Sequence, residues 1–264
     1  MKRSLWPAPR RVGIALLLAA LAFSIMANVK LWRLVNGLER AAARQALDPI
    51  GLEVFASDRA AATRPAGRRL VMFGDSRVVT WPVLVVPGLE YVNRGIGGQS
   101  TAQLVLRYPV DVAPLQPSVV LVQAGVNDLT KLAQFPEERA SILRQCKANL
   151  ARLVTLARAD SSRVLLTTIF PRSSAARGGR AAPVDAAIAE VNAYIRTLAG
   201  PGVRVLDVVP LLVGPDGGVR PEFADDSVHL NAAGYEAISR SVLQELELLK
   251  ADLAAAPTGT PEVP

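Results

Sequence analysis

The stretch "VMFGDSRVVTW", residues 71–81, starts as an apolar run and breaks at Gly74, Asp75 and Ser76. Such a run reads as a buried strand leaving through a turn into a helix, because Gly permits turn conformations while Asp and Ser cap helices. From Arg69 onward the same unit recurs. β-like runs at 70–73, 91–93, 119–123, 164–169 and 203–206 alternate with helical periodicity at 101–112, 136–159 and 184–198, and a last helix covers 232–249. Ser100 with Gln103 reads as a capping box, Pro136 as a first helical position and Asn231 as the cap of the last helix. Alternating strands and helices predict an α/β fold, a three-layer α/β/α sandwich on a five-stranded parallel sheet, since each crossover must return over the sheet.

Upstream of this domain the chemistry changes. Residues 12–29 carry no charge and follow Arg10 and Arg11. As a helix rising about 1.5 Å per residue they span roughly 27 Å, the depth of a hydrocarbon core. The stretch is long for a signal peptide, and Ile25-Met26-Ala27 is a poor cleavage site, so an uncleaved membrane anchor is expected over residues 1–29; cleavage would instead give a secreted protein. Leu31, Leu34, Val35, Leu38 and Ala42 continue at helical spacing as an amphipathic stalk, followed by a linker, so that 30–68 joins the anchor to a domain at 69–250. The tail at 251–264 reads as disordered. Basic residues flank the apolar segment almost equally. The short N-terminal tail resembles an export signal and puts the domain on the extracytoplasmic side.

Charge excludes one class of partner. The chain has Lys+Arg 30 against Asp+Glu 23, a net +7. Residues 1–46 hold eight basic groups and one acidic group, which accounts for the whole excess and leaves the domain neutral. A nucleic-acid surface needs its positive charge on the folded body, so no such partner is expected. With one cysteine, Cys146, and one histidine, His229, the chain has neither an internal disulfide nor a usual zinc ligand set, and no metal or cofactor is expected. Cys146 falls at helical spacing among Ile142, Leu143, Leu150 and Leu153 and reads as a core thiol.

In an open parallel sheet, ligands bind beyond the carboxyl ends of the strands. Four segments fall there: Ser76 after the first strand, "NRGIGGQST" with Gly98 after the second, "QAGVND" with Asn127 after the third, and "DDSVHLN" with Asp226 and His229 before the last helix. A serine hydroxyl needs a base to become a nucleophile, and His229 is the only imidazole available. Asp226 can orient His229, with Asp225 as the alternative carboxylate; backbone N–H groups of Gly98 and Ser76 and the Asn127 amide can donate to an oxyanion. Taken singly, each is also an ordinary turn residue.

Together and in order, "GDS" (74–76), "GIGG" (95–98), "GVND" (125–128) and "DSVH" (226–229) resemble the SGNH hydrolases, also called the GDSL lipase and esterase family, over roughly residues 69–249. The resemblance implies a flavodoxin-like sheet and metal-free ester hydrolysis. It also implies Ser76 as nucleophile, Gly98 and Asn127 as oxyanion donors, and Asp226 with His229 as the remaining pair; the choice of Gly98 over Gly97 or Gly95 depends on aligning the glycine block. One departure stands out: Arg77 replaces the apolar residue usual after the serine, either to touch substrate or to anchor the turn. The segment "PRSSAARGGRAAP" (171–183) reads as a solvated loop or as a lid meeting an acidic group. The expected function is a membrane-anchored serine acylhydrolase acting on a small or polymer-borne ester, such as a cell-envelope carbohydrate O-acetyl group. A lysophospholipase or thioesterase, and a catalytically silent binding protein, are the alternatives. Nothing in the chain indicates an oligomeric state.

Overall fold

The computed structural model describes residues 8–59, 68–179 and 182–255. The chain divides into two units at Pro49. The first is one continuous helix, α1 (Ala8–Leu47), of 40 residues. Its apolar side chains, among them Leu17, Phe23 and Ile25, are exposed, and it is long and apolar enough to cross a membrane. The stalk stripe at Leu31, Leu34 and Leu38 is exposed along the same helix.

The second unit opens with a 3-10 turn at Leu52–Phe55 and α2 (Ala56–Arg59). These residues, expected as linker, belong to the domain: the Phe55 ring lies under the Arg94 guanidinium, Asp58 pairs with Arg94 at 3.1 Å, and Gln99 Nε2 donates to the Ile50 carbonyl at 2.7 Å. There follow β1 (Arg69–Gly74), α3 (Ser76–Val79), β2 (Glu90–Gly95), α4 (Thr101–Asp111), β3 (Val119–Gln123), α5 (Val126–Leu129) and α6 (Arg139–Ala159). The chain continues with β4 (Arg163–Thr167), α7 (Ala182–Arg196), β5 (Val203–Leu206), α8 (Val209–Leu212) and α9 (Ala232–Ala255).

All five strands pair in parallel in the order β2-β1-β3-β4-β5, the flavodoxin-like arrangement. Strand side chains alternate between two apolar layers. Val71, Phe73, Val120, Val122 and Leu166 pack with Leu104, Leu150 and Val191 of α4, α6 and α7. Leu70, Met72, Leu121 and Leu165 pack on the other face with Tyr235, Ile238, Val242 and Leu246 of α9. Both faces are therefore covered, as the near-continuous apolar strands require. Cys146 is fully buried in the first layer, and burial pushes its thiol pKa up.

Local differences from the sequence pattern have local causes. β4 stops at Thr167 instead of 169 because the Asn192 amide takes both the N–H of Ile169, at 2.7 Å, and its carbonyl, at 2.8 Å. The segment beginning at Pro136 forms a 3-10 turn before α6 begins. α9 runs on to Ala255, so residues 251–255 of the expected tail are helical; 256–264 lie outside the described residues.

Candidate active site

The order of strands reverses between β1 and β3, and the site grows from that point. Gly74 ends β1 opposite Gln123 of β3, where an added Cβ would stand 2.0 Å from the Gln123 carbonyl oxygen, so no larger residue fits. Asp75 then caps α3, its Oδ1 accepting from the Arg77 N–H at 3.0 Å. That turn lifts Ser76, half-buried, onto the carboxyl rim of the sheet.

The last loop brings the histidine. Asp226 Oδ1 accepts the backbone N–H groups of Val228 and His229, both at 2.8 Å, and Asn231 caps α9 by accepting from Gly234 N–H at 3.0 Å. These bonds hold the imidazole between two groups: Nε2 lies 2.8 Å from Ser76 Oγ and Nδ1 lies 2.7 Å from Asp226 Oδ2. Burial raises the Asp226 carboxyl, but the bonds from the His229 ring and the two backbone N–H groups outweigh it and bring the pKa down to about 2. A carboxylate only accepts, so Nδ1 carries the proton and Nε2 presents its lone pair to the serine hydroxyl. Asp225 instead donates its N–H to the His229 carbonyl at 3.0 Å, leaving the carboxylate role to its neighbour.

The glycine loop and the loop after β3 complete the rim. Ile96 N–H donates to the Gly74 carbonyl at 3.1 Å, and a Cβ on Gly97 would lie 3.8 Å from Ser76 Cβ. Gly98 has φ +76 and open space where a side chain would be, so its backbone is accessible. Asn127, half-buried, donates one Nδ2 hydrogen to the Gln99 carbonyl at 3.0 Å and keeps the second. Asp128 braces this loop, accepting from Thr101 N–H at 2.9 Å and Thr101 Oγ1 at 2.6 Å.

Arg77 is corrected as a substrate contact. Its side chain is fully buried, with Nε donating to the Val228 carbonyl at 2.9 Å and the guanidinium 4.9 Å from the Phe170 ring centroid. Burial lowers its pKa to about 10 and raises that of fully buried Asp75 to about 6. Tyr235 Oη donates to the Arg77 carbonyl at 2.7 Å, joining the serine turn to α9.

Sequence reasoning missed a second buried arginine. Arg107 on α4 donates to the carbonyls of Gly74 (3.1 Å) and Arg94 (2.7 Å), to Gln99 Oε1 and to Asp111. It therefore ties the ends of β1 and β2 to the residue that follows Gly98. A readable signal existed: Arg107 shares the apolar face of its helix with Leu104 and Tyr108, and Asp111 follows four residues later.

The sequence profile of the GDSL-like lipase/acylhydrolase family matches residues 62–237. The chain belongs to this family. No curated protein matches it in sequence. Among solved structures, the GDSL-like family protein resembles a GDSL-like lipase from Bacteroides thetaiotaomicron, 25% identical at a TM-score of 0.60, over 75% of this chain and 98% of that one. A candidate acylhydrolase from Bacteroides fragilis is 27% identical with a TM-score of 0.62, over 76% and 99% of the respective chains. An acetylxylan esterase from Geobacillus stearothermophilus, 21% identical over 69% and 94%, shares the fold at a TM-score of 0.54. This GDSL-like chain is thus a serine ester hydrolase. Among its described residues, no three His, Cys, Asp or Glu side chains are grouped to hold a metal ion.

Proposed function

We propose that Ser76, His229 and Asp226 form the catalytic triad of a membrane-anchored esterase that acts on short acyl esters carried by cell-envelope carbohydrate. The observation that carries this reading is the unbroken line from Ser76 Oγ to His229 Nε2 at 2.8 Å and from Nδ1 to Asp226 at 2.7 Å. His229 removes the hydroxyl proton as Ser76 attacks the ester carbonyl; Asp226 holds the tautomer and stabilises the imidazolium that forms. The N–H groups of Gly98 and Ser76 and the free Asn127 N–H receive the developing oxyanion. Collapse of the tetrahedral intermediate releases the alcohol, protonated by His229, and leaves an acyl-serine. Water, deprotonated by the same imidazole, then frees the acid and restores Ser76.

The finer parts of the proposal rest on separate supports. The apolar α1 favours a single-pass anchor over residues 1–29 with a stalk above it, and the short basic tail favours an extracytoplasmic domain. Open space at Gly98 leaves room for a bulky ester alcohol. The test is Ser76→Ala in the full chain, assayed on p-nitrophenyl acetate and with a fluorophosphonate probe. Turnover should fall by at least about 10³-fold and labelling should vanish with the circular dichroism unchanged. Undiminished turnover would remove Ser76 from the mechanism.

A further inference from the structure

A second feature of the catalytic rim is not used by the triad. The segment 171–179 folds as a wall: Ser174–Ala176 is a 3-10 turn, Ser173 bridges to Val219, and Arg177 Nη1 donates to the Gly217 carbonyl at 3.0 Å. Behind it lies a cavity of about 210 Å³. Pro171 and Arg172 enter it from the end of β4 and Val209 from the end of β5, so it opens on the carboxyl edge of the sheet, as the triad does. Ser173 N–H donates to the Ser227 carbonyl at 3.1 Å, which places the wall one residue from Asp226.

The lining has two chemistries. Pro171, Ile188 and Val209 give apolar surface; Arg172, Arg177, Arg196 and Asp185 give charged groups. Arg196 is paired with Asp207 at 2.8 Å. Arg172 Nη1 and Asp185 Oδ1 form a buried ion pair at 3.7 Å, too long for a hydrogen bond, and neither atom has another hydrogen-bond partner. Arg177, exposed, forms no ion pair within 4.0 Å among the described residues. The cavity thus offers donors to an anion and a carboxylate acceptor to a hydroxyl, above a surface that suits the apolar face of a ring. An alkyl chain would engage none of these polar groups. The volume is below the roughly 300 Å³ at which drug-sized pockets begin and suits a single sugar unit.

We propose that this cavity is a subsite for an acidic sugar, its carboxylate against Arg177 and Arg172, a hydroxyl on Asp185 and its ring on Pro171, Ile188 and Val209. Its role as a substrate subsite rests on the esterase reading; its ability to bind does not. The substrate class becomes an ester on an anionic glycan.

The test is calorimetry on the full chain in detergent micelles with trigalacturonic acid, xylotriose of equal length as the neutral control, and micelles doped with phosphatidylglycerol as a lipid arm. Trigalacturonic acid should bind at least tenfold tighter than xylotriose, and Arg177→Gln should remove the difference. Equal binding of the two sugars would overturn the proposal, as would a preference that survives both Arg177→Gln and Arg172→Gln. Suppression of sugar binding by phosphatidylglycerol with the same Arg177 dependence would replace the sugar by a lipid headgroup. Since the probes carry no ester, failure here leaves ester hydrolysis standing, and failure of hydrolysis leaves this binding result readable.

Discussion

Arg77 donates from Nε to the carbonyl of Val228 at 2.9 Å, fastening the residue after Ser76 to the residue before His229 across 151 positions of sequence. The bond ties the turn that carries Ser76 to the loop that carries His229. In Arg77→Met, loss of this tie should lower kcat on p-nitrophenyl acetate by about 10²-fold, the effect of a misplacement near 1 Å, and leave KM within about twofold. Removing a desolvated cation offsets part of the lost hydrogen bond, so stability should fall by only about 1–2 kcal/mol. Steady-state kinetics beside urea unfolding separate these effects. A variant that loses stability but retains kcat would make Arg77 purely structural.

Asn127 has one amide hydrogen committed to Gln99 and one available. Asn127→Ala should therefore reduce kcat by about 10²–10³-fold, the usual effect of removing an oxyanion donor, with KM nearly constant. A drop of less than threefold in the same assay would take Asn127 out of the oxyanion hole.

Arg107 and Asp111 form an ion pair with both side chains fully buried. Deleting only the cation leaves a carboxylate in the interior, so Arg107→Met should cost about 3–5 kcal/mol, roughly 10 °C in melting temperature. The double variant Arg107→Met, Asp111→Leu should recover part of that loss. Additive losses in a thermal melt would show that the two charges are not coupled.

Two carboxylates give opposite pH effects. Asp75, raised by burial to about 6, binds its proton more tightly when folded, so its contribution to stability is complete below pH 4 and is lost as pH rises to about 6. The difference of about two units corresponds to about 3 kcal/mol. Asp226, pulled down to about 2, stabilises above pH 4 and loses that contribution as pH falls toward 2. Urea unfolding of wild type and Asp75→Asn at pH 4 and 7 should show the wild type losing ground to the variant at the higher pH. Parallel profiles would mean that Asp75 is not desolvated.

How far the sequence could be read follows from where its signals are local. Strand β3 was legible to the residue because Val119–Val122 is an apolar run closed by Gln123 and bounded by Pro117-Ser118 and Gly125. The convergence of Ser76, Asp226 and His229 was legible because the chain has one imidazole to pair with a serine and a carboxylate. The burial of Arg77 and the reach of Arg107 were not, since both depend on partners 151 and 33 positions away that only the packed sheet brings near. The attachment of residues 50–59 escaped for the same reason: Asp58 and Ile50 find Arg94 and Gln99 only after β2 is in place.

Ser76 follows the first strand in the chain and His229 precedes the final helix, 153 residues later. A ribosome therefore releases the serine long before the imidazole. With Ser76 and His229 in the roles proposed, chains truncated before α9 are expected to be inert, and turnover would itself report completed folding.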